Sequence, residues 1–400
     1  MGGAIGLPPR PPEKDKPKGA FTSMKAIVNG RIVLPTRTLT GMALLFDEKI
    51  RALVSPEEIG DAEVIDAAGM YVVPGLIDMH IHGYRGNDAS DGEVSELIAM
   101  AEGLAQHGVT SWLPTTMTIS YDALRKAFSA IREAMKPGMN SRGANILGVN
   151  SEGPFICVAK KGAQNEAYVK PLDVDFLKEY ADIVRVFTVA PEEKGNMEAI
   201  RRVAAETGML ISIGHSDASY ETAMESIEAG VRHATHLFNA MTAMTHRKPG
   251  VVGAVLSDAR VSTEMICDTY HVNPALYEMV NTLKGDKLVM ITDCLRAGGL
   301  EEGEYDLGGQ TVVLKDNLCR LLDGTIAGSV LTLNKGVYNV LRHTTLPVHT
   351  CVNMASLNPA KALGVQKTKG SIEVGKDADF FLADDQFNAC GTFIGGEKVC

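Results

Sequence analysis

The sequence has few of the features that mark membrane, secreted and nucleic-acid-binding proteins. No apolar run approaches the roughly 20 residues that a helix needs to cross a bilayer, and the N-terminus lacks the charged-then-apolar order of a secretory signal. We therefore expect a cytoplasmic protein without a membrane partner. Lys and Arg number 39 against 49 Asp and Glu, which gives a net charge of −10. Because nucleic-acid binders carry a basic surface, nucleic acid is not expected as a partner.

The sequence also lacks cysteines at the spacing expected of a metal site or a disulfide framework. The seven cysteines are scattered, and none of them forms a C-x-x-C pair. This pattern argues against a disulfide framework and against a zinc site built from cysteine, and it suits a reducing compartment. The chain likewise has no G-x-x-x-x-G-K-[ST] motif and no strand-coupled G-x-G-x-x-G motif, so a phosphate-binding loop of either kind is not expected.

The sequence contains enough apolar residues for a large hydrophobic core. Hydrophobic residues make up 45% of the 400 residues and charged residues only 22%, which is typical of a folded protein. This length fits two domains or one large barrel with an appendage. Residues 1–23 are rich in Pro and Gly and are predicted to be a disordered extension or a tag. Short β-rich runs at both ends predict a small β-sandwich domain made of residues 24–73 and 366–400.

Between these ends, residues 74–365 alternate between short apolar runs and helical patterns. This alternation is typical of βα units around a parallel sheet. Eight of the runs suit buried strands: residues 76–80, 109–114, 146–151, 184–189, 209–214, 231–235, 262–267 and 287–292. Eight such strands predict an α/β fold of the (β/α)₈ TIM-barrel type, with the small β domain attached to it.

Polar residues close five of these predicted strands, at the rim where such barrels carry their chemistry. His80 and His82 are two positions apart, so alternation along a strand puts both on the same side. The other strand-closing residues are Glu152, His215, His236 and Asp293. One histidine after a strand is more often an ordinary loop residue than a ligand, but six such residues on one rim predict a metal site. Their nitrogen and oxygen donors suit zinc or iron.

The remaining histidines are interpreted one by one. Four of them are not expected to bind a metal, because they fall in helical or polar stretches or in the middle of a strand: His107, His233, His343 and His349. His246 is left undecided. His271 follows the seventh predicted strand on the same rim and is a candidate for contact with a substrate.

A β-rich segment leads into the first predicted barrel strand and carries the His-x-His pair in VVPGLIDMHIHG, residues 72–83. This segment resembles the amidohydrolase superfamily of metal-dependent hydrolases. Further motifs are SEGPFI (151–156), KKGAQN (160–165), IGHSDAS (213–219), THLFNAM (235–241), RKPG (247–250), DTYHV (268–272), ITD (291–293) and AGS (327–329). Their order over residues 24–400 resembles one family within it, the N-acetylglucosamine-6-phosphate deacetylases.

The resemblance implies a division of labour among the strand-end residues. Glu152, His215 and His236 would hold the principal metal ion. His80 and His82 would hold a second ion, with Glu152 bridging the two. One or two divalent ions per subunit are therefore expected, with Zn²⁺ as the first choice and Fe²⁺ as the alternative.

The resemblance also implies a reaction, the hydrolysis of the acetamide of N-acetyl-D-glucosamine 6-phosphate, with Asp293 as the catalytic acid and base. Contacts with the sugar are expected from Ala163, Gln164, Asn239, Ala240, His271, Ile326, Ala327 and Gly328. Arg247 would bind the phosphate of the neighbouring subunit's substrate in a homodimer, since a planar guanidinium suits a phosphate. Gln164 departs from the family, where a histidine is usual. Its amide donates a neutral hydrogen bond but cannot become cationic, which puts its role in polarising the carbonyl in doubt.

Three other interpretations stay open at this point. N-acetylgalactosamine 6-phosphate is an alternative substrate, because one inverted hydroxyl leaves no mark in these motifs. A dihydroorotase or hydantoinase-like cyclic amidase would usually carry a lysine at the end of the fourth strand, whereas this chain has VRVFTVAPEE at residues 184–193. A non-catalytic scaffold is disfavoured because every expected metal ligand is present.

Overall fold

The computed structural model of the protein describes residues 24–140 and 142–400, and the predicted extension at residues 1–23 lies outside the described residues. Seven short strands come first: β1 (Lys25–Val28), β2 (Arg31–Leu34), β3 (Arg37–Leu39), β4 (Ala43–Phe46), β5 (Ile50–Val54), β6 (Glu63–Asp66) and β7 (Tyr71–Pro74). They begin the two sheets of the small β region.

The barrel follows, as predicted. Its eight parallel strands are β8 (Leu76–Ile81), β11 (Val109–Thr116), β13 (Val149–Ser151), β14 (Val184–Val189), β15 (Leu210–Ile213), β16 (His233–Ala234), β17 (Ser262–Ile266) and β18 (Leu288–Ile291), paired in that order. Three two-residue strands accompany them: β9 (Gly83–Tyr84), β10 (Asn87–Asp88) and β12 (Asn145–Ile146). The barrel is nearly closed, and the backbone N–H of Asp293 donates to the carbonyl of His80 across the seam between its last and first strands.

Ten α-helices complete the described fold. They are α1 (Val94–Ala105), α2 (Tyr121–Ala134), α3 (Val174–Lys178), α4 (Asn196–Glu206), α5 (Tyr220–Ala229), α6 (Gly250–Ser257), α7 (Tyr277–Lys284), α8 (Leu333–His343), α9 (Val348–Ala355) and α10 (Leu357–Ala362). Serine caps fix two of the helix starts: Ser120 accepts from the Ala123 N–H before α2, and Ser219 from the Thr222 N–H before α5. Within the described residues, none of the helices combines the length and the apolar character needed to span a bilayer.

A three-stranded antiparallel sheet follows the last barrel strand and was not predicted from the sequence. It consists of β19 (Gly303–Leu307), β20 (Gln310–Lys315) and β21 (Leu318–Leu321). We call this sheet the lid sheet, because its apolar residues pack beside Met117 and Leu295 at the carboxyl end of the barrel.

The chain returns to the small β region in β22 (Phe380–Ala383), β23 (Ala389–Ile394) and β24 (Glu397–Lys398). These strands join β7, β2 and β3 in a six-stranded sheet, while β5, β4, β1 and β6 form the other sheet. Phe46 from one sheet meets Phe380 from the other edge to face, with ring centroids 5.0 Å apart, inside a shared apolar core. The sandwich built from both chain ends is thereby confirmed, and its sequence boundaries stay a prediction.

Five predicted strands are shorter than the sequence suggested, and two of them are shortened by about half. The run at residues 146–151 is split into β12 and β13, and the run at residues 231–235 is reduced to the two residues of β16. Chain direction is unaffected, so the residue that closes each strand still reaches the same end of the barrel.

Candidate metal centre

The ends of five barrel strands bring six polar side chains together. His80 lies in β8 and His82 directly after it, Glu152 follows β13, and His215, His236 and Asp293 follow β15, β16 and β18 within two residues. Because the strands are parallel, all of these ends open on the same rim. All six residues are buried, so their side chains face one another and not bulk water.

The first of two ligand groups consists of Glu152, His215 and His236. The Oε1 atom of Glu152 lies 3.0 Å from Nε2 of His215 and 2.8 Å from Nε2 of His236. The two Nε2 atoms are 3.1 Å apart. Three donor atoms this close are an arrangement that a cation would stabilise.

The second group consists of His80, His82 and Asp293. Nε2 of His80 lies 3.3 Å from Nε2 of His82, and Oδ1 of Asp293 lies 3.2 Å from the latter. Glu152 connects the two groups, since its Oε2 atom is 3.1 Å from Nε2 of His82 while its Oε1 atom faces the first group. One carboxylate therefore stands between two clusters, each of which could hold an ion.

The outer nitrogen of each histidine ring is held by an acceptor, which turns the inner nitrogen toward the centre. The pairs are His215 Nδ1 with the Lys160 carbonyl (2.9 Å), His236 Nδ1 with the Asn239 carbonyl (3.1 Å), His82 Nδ1 with the Thr115 carbonyl (3.1 Å) and His80 Nδ1 with Oε2 of Glu264 (2.9 Å). A carbonyl or carboxylate oxygen only accepts, so each Nδ1 carries the proton. In a neutral ring with the proton on Nδ1, the Nε2 atom presents a lone pair, which is the state that metal binding requires.

The charges of the site are set by its own members. Burial alone would raise the pKa of the Glu152 carboxyl, but the rings of His80 and His215 hold that pKa well below its usual range. For Asp293, burial is likewise outweighed by His80 and His82, which lower the pKa of its carboxyl. Burial disfavours a charged imidazole at His82, yet Asp293 and Glu152 raise its pKa to about 9. Both carboxyl groups are thus ionised near neutral pH.

Three of the six residues adopt a left-handed backbone conformation, which is uncommon outside glycine. The φ angles are +46° at His215, +29° at His236 and +51° at Asp293. Such angles cost of order 1–3 kcal/mol each and persist where the surrounding structure holds them, most often at functional sites. The strain turns each side chain from its strand end toward the barrel axis.

A cavity of about 310 Å³ opens above these residues. Its walls include seven of the residues predicted to contact a substrate: Ala163, Gln164, Asn239, Ala240, His271, Ile326 and Gly328. The lid sheet also contributes to the walls through Leu307, and Nε2 of Gln310 in β20 donates to the Ala163 carbonyl at 2.6 Å. A pocket with apolar walls and an ionised, histidine-rich floor suits a small polar ligand.

The sequence model of the Amidohydrolase family matches residues 71–399. The chain belongs to the amidohydrolase family. It is 37% identical to an N-acetylglucosamine-6-phosphate deacetylase of Bacillus subtilis, over 85% of this chain and 87% of that protein. It is 32% identical to an N-acetylgalactosamine-6-phosphate deacetylase of Escherichia coli O157:H7, over 90% and 97%. Among solved structures, an N-acetylglucosamine-6-phosphate deacetylase of Pasteurella multocida superimposes with a TM-score of 0.89 at 34% identity, covering 94% of this chain and 99% of that one.

Three predicted site residues lie away from the cavity of this amidohydrolase. His80 is fully buried beneath His82, and Ala327 is buried in the apolar cluster under the lid sheet. Arg247 is exposed in the loop before α6 and lines a different pocket, together with Tyr220 and Lys248. Within one chain, the guanidinium of Arg247 therefore does not face the two ligand groups.

Gln164 is buried and makes two short contacts in the floor of the cavity. Its Oε1 atom accepts from the Thr118 N–H at 2.6 Å, and its Nε2 atom donates to Oε2 of Glu152 at 2.6 Å. The amide is thus oriented by the backbone and directed at the carboxylate that joins the two ligand groups. Gln164 assists Glu152 in this structure, a contact that its residue type alone did not predict.

Glu264 is the site residue that sequence reasoning missed. It is fully buried in β17, contacts the ring of His80, and also lies 3.2 Å from Nε2 of His233, which was set aside as an ordinary strand residue. The available signal was a single acidic residue inside the apolar run at residues 262–267. A charge in a buried strand needs a partner, and the side-chain partners here are the rings of His80 and His233.

Proposed function

We propose that this amidohydrolase cleaves the acetamide of N-acetyl-D-glucosamine 6-phosphate and releases D-glucosamine 6-phosphate and acetate. The observation that carries the proposal is that Glu152 joins the His215–His236 pair to the His80–His82 pair beneath a cavity that also exposes Asp293. The curated relative from Bacillus subtilis and the solved structure from Pasteurella multocida, both named for this reaction, support the choice of substrate. The seven cysteines are free thiols, in keeping with the predicted cytoplasmic location.

The donor set fits a divalent ion, with Zn²⁺ as the first choice and Fe²⁺ as the alternative. Glu152, His215 and His236 would hold the principal ion, and His80 and His82 a second one with Glu152 between them. The inward-facing Nε2 atoms and the ionised carboxylate of Glu152 support this assignment. A divalent ion in such a centre polarises a carbonyl and lowers the pKa of water from 15.7 toward about 7.

Asp293 is the proposed acid and base. Its carboxylate accepts a proton from the water that attacks the acetyl carbon, as the new C–O bond forms. The same proton then passes to the amide nitrogen, the C–N bond breaks, and the products are acetate and a free amine. A positioned carboxyl group in both roles contributes about 10² to 10⁴-fold in rate. Gln164 keeps Glu152 oriented by the short contact from its amide while this occurs.

The cavity walls provide the proposed sugar contacts. Asn239 and His271 offer polar side chains, and the backbone of residues 326–328 runs along the rim below the lid sheet. His271 is held by Asp268, whose Oδ2 atom lies 2.7 Å from its Nδ1 atom. The phosphate would be bound by Arg247 of the second subunit of a homodimer, an arrangement supported by the exposure of this residue away from its own chain's cavity.

Arg247→Ala is expected to raise KM for the phosphorylated sugar by roughly 10- to 100-fold, because a hydrogen bond to a charged group contributes about 1.5–3 kcal/mol. Turnover of the unphosphorylated sugar should stay at the wild-type level, which serves as the internal control. Steady-state kinetics with both substrates measures the difference. An equal loss with both sugars would show that Arg247 does not bind the phosphate.

Metal uptake is expected to release protons. In the metal-free protein the pKa of His82 is raised to about 9, so its ring holds a proton at neutral pH that an ion must displace. Affinity at this group should therefore increase as the pH rises toward 9 and decrease as it falls. Calorimetric titration with Zn²⁺ in two buffers of different ionisation enthalpy measures the proton count, and a count of zero at pH 7 would contradict the expectation.

The substrate is tested by incubating metal-replete protein with four compounds: the 6-phosphates of N-acetylglucosamine and N-acetylgalactosamine, and both free sugars. Released acetate is measured. We expect the glucosamine 6-phosphate derivative to be turned over fastest. A preference for the galactosamine derivative would favour the second candidate function, which the relative from Escherichia coli O157:H7 supports. Equal turnover of phosphorylated and free sugars would contradict the phosphate site.

A further inference from the structure

Glu264 lies beneath the metal centre, in the middle of β17, and its carboxylate has three partners. Oε2 lies 2.9 Å from Nδ1 of His80 and accepts from the backbone N–H of His236 at 3.1 Å. Oε1 lies 3.2 Å from Nε2 of His233. His80 belongs to one ligand group and His236 to the other, so a single carboxylate oxygen touches both.

The burial of Glu264 requires these contacts. The side chains of Glu264, His80 and His233 are fully buried, and an unpaired carboxylate in such a place would cost several kcal/mol. The N–H groups of His80 and His236 are directed at the carboxylate from the side of the metal centre. The carboxylate in turn gives the outer nitrogen of His80 an anionic acceptor, which increases the electron density at the inner nitrogen.

The contact with His236 acts on the backbone and not on the ring. His236 has a φ angle of +29°, an unfavourable conformation for a residue with a side chain. Its N–H is donated to Glu264, and its ring is held separately by the Asn239 carbonyl. Glu264 therefore supports the strained turn that aims His236 at the first group, while it orients the ring of His80 in the second.

A further layer of hydrogen bonds supports Glu264 itself. His233 precedes His236 by three residues, and its Nδ1 atom lies 2.6 Å from Oγ of Ser262, which in turn donates to the Arg232 carbonyl at 3.2 Å. The chain of contacts runs from Ser262 through His233 and Glu264 to His80. Every member lies in β16 or β17, except His80, which lies in β8.

We propose that Glu264 is a positioning residue that ties the two ligand groups together, by fixing the tautomer and basicity of His80 and the backbone of His236. This inference rests on the proposed metal site. Glu264 does not contact the substrate in this role. His233 holds its carboxylate in place.

The test is the variant Glu264→Gln, an isosteric change that removes only the charge. The Gln oxygen can still accept from both N–H groups, and its amide can donate to His233, so folding should be retained. We expect affinity for Zn²⁺ at the His80 group to fall by about 10- to 100-fold, the usual cost of losing such a partner of a metal ligand. Affinity is measured by competition with a chromogenic chelator, and the Co²⁺-loaded protein should show an altered visible absorption spectrum.

Asp379→Asn is the matched control. Asp379 is 6% exposed, accepts from Nζ of Lys369 at 2.6 Å and from the Gly395 N–H at 2.8 Å in the small β region, so the change also removes a buried charge without touching a ligand side chain. Metal affinity and spectrum should match wild type in this control. Should Glu264→Gln fail to fold, His233→Gln is expected to cause a smaller loss of affinity in the same direction, because it loosens Glu264 without replacing it.

Wild-type metal content separates the two proposals. A wild-type protein that binds no divalent ion contradicts the proposed metal site itself. If wild type binds metal and the folded Glu264→Gln protein retains the same number of ions, with affinities within about threefold and an unchanged Co²⁺ spectrum, only the positioning role is overturned. An unchanged affinity in His233→Gln overturns it in the same way where Glu264→Gln does not fold.

Discussion

Asp293→Asn is expected to lower kcat/KM by about 10² to 10⁴-fold while the metal content of the protein stays near the wild-type value. Asn has the size of Asp but cannot accept a proton from water or return one to the leaving nitrogen. The backbone around Asp293 is fixed independently of the side chain. Its N–H donates to the His80 carbonyl at 2.9 Å, and its carbonyl accepts from the Ser329 N–H at 2.7 Å.

The change at Asp293 should therefore remove chemistry without displacing the histidines. Glu152, His215 and His236 do not depend on Asp293 for the contacts that orient them, since their acceptors lie in other loops. Metal analysis of the purified variant alongside steady-state kinetics makes the distinction. Turnover within about tenfold of wild type would remove Asp293 from the acid–base role, because such a role contributes at least about 10².

His236→Ala is expected to have an effect of another kind, in which metal and activity are lost together. The ring of His236 supplies one of the three donors in the first group, so its removal leaves two. Loss of a metal's charge stabilisation is worth several kcal/mol, or about 10³-fold or more in rate at 1.36 kcal/mol per tenfold. His215→Ala is expected to lose metal and activity together in the same way.

His343→Ala is the control for both histidine variants. His343 is exposed at the end of α8, far along the chain from the strand ends, and it should retain full metal content and turnover. Metal per chain and acetate release are measured on the three variants in parallel. A His236→Ala protein that keeps its metal but loses activity would show that this histidine contacts the substrate and does not hold the ion.

The part of the fold that the sequence predicts follows from the burial of the barrel strands. Strands of a parallel barrel are covered on both faces, so they appear in the sequence as short apolar runs, and β11 is buried along its whole length. A charged or imidazole side chain directly after such a run must lie at the rim. That argument predicts from the sequence alone that Glu152, His215, His236 and Asp293 lie close together.

Other features left no comparable mark. The lid sheet has half-exposed strands of four to six residues, in which polar and apolar residues mix, so residues 303–321 could not be separated from the barrel by periodicity. The strand β16 has two residues, too few for any pattern. Glu264 interrupts an apolar run, but only the fold shows that its carboxylate contacts His80, 184 positions earlier in the chain.

Arg247 illustrates a different limit. The family resemblance implied a phosphate contact for this residue, yet its side chain is exposed and lines a pocket other than the one above the ligand groups. The proposed role of Arg247 in the site of a second subunit cannot be tested on one chain, because nothing in that chain's own core requires it.

The central claim, that the strand-end residues use a divalent ion to hydrolyse an amino-sugar acetamide, is tested most directly by one reconstitution assay. The protein is stripped of metal with a chelator, then given Zn²⁺, and acetate and free amine are both quantified from N-acetyl-D-glucosamine 6-phosphate. We predict that the stripped protein is inactive and that added Zn²⁺ restores equimolar release of acetate and D-glucosamine 6-phosphate. Equal release by stripped and reloaded protein, or no release by either, would contradict this assignment.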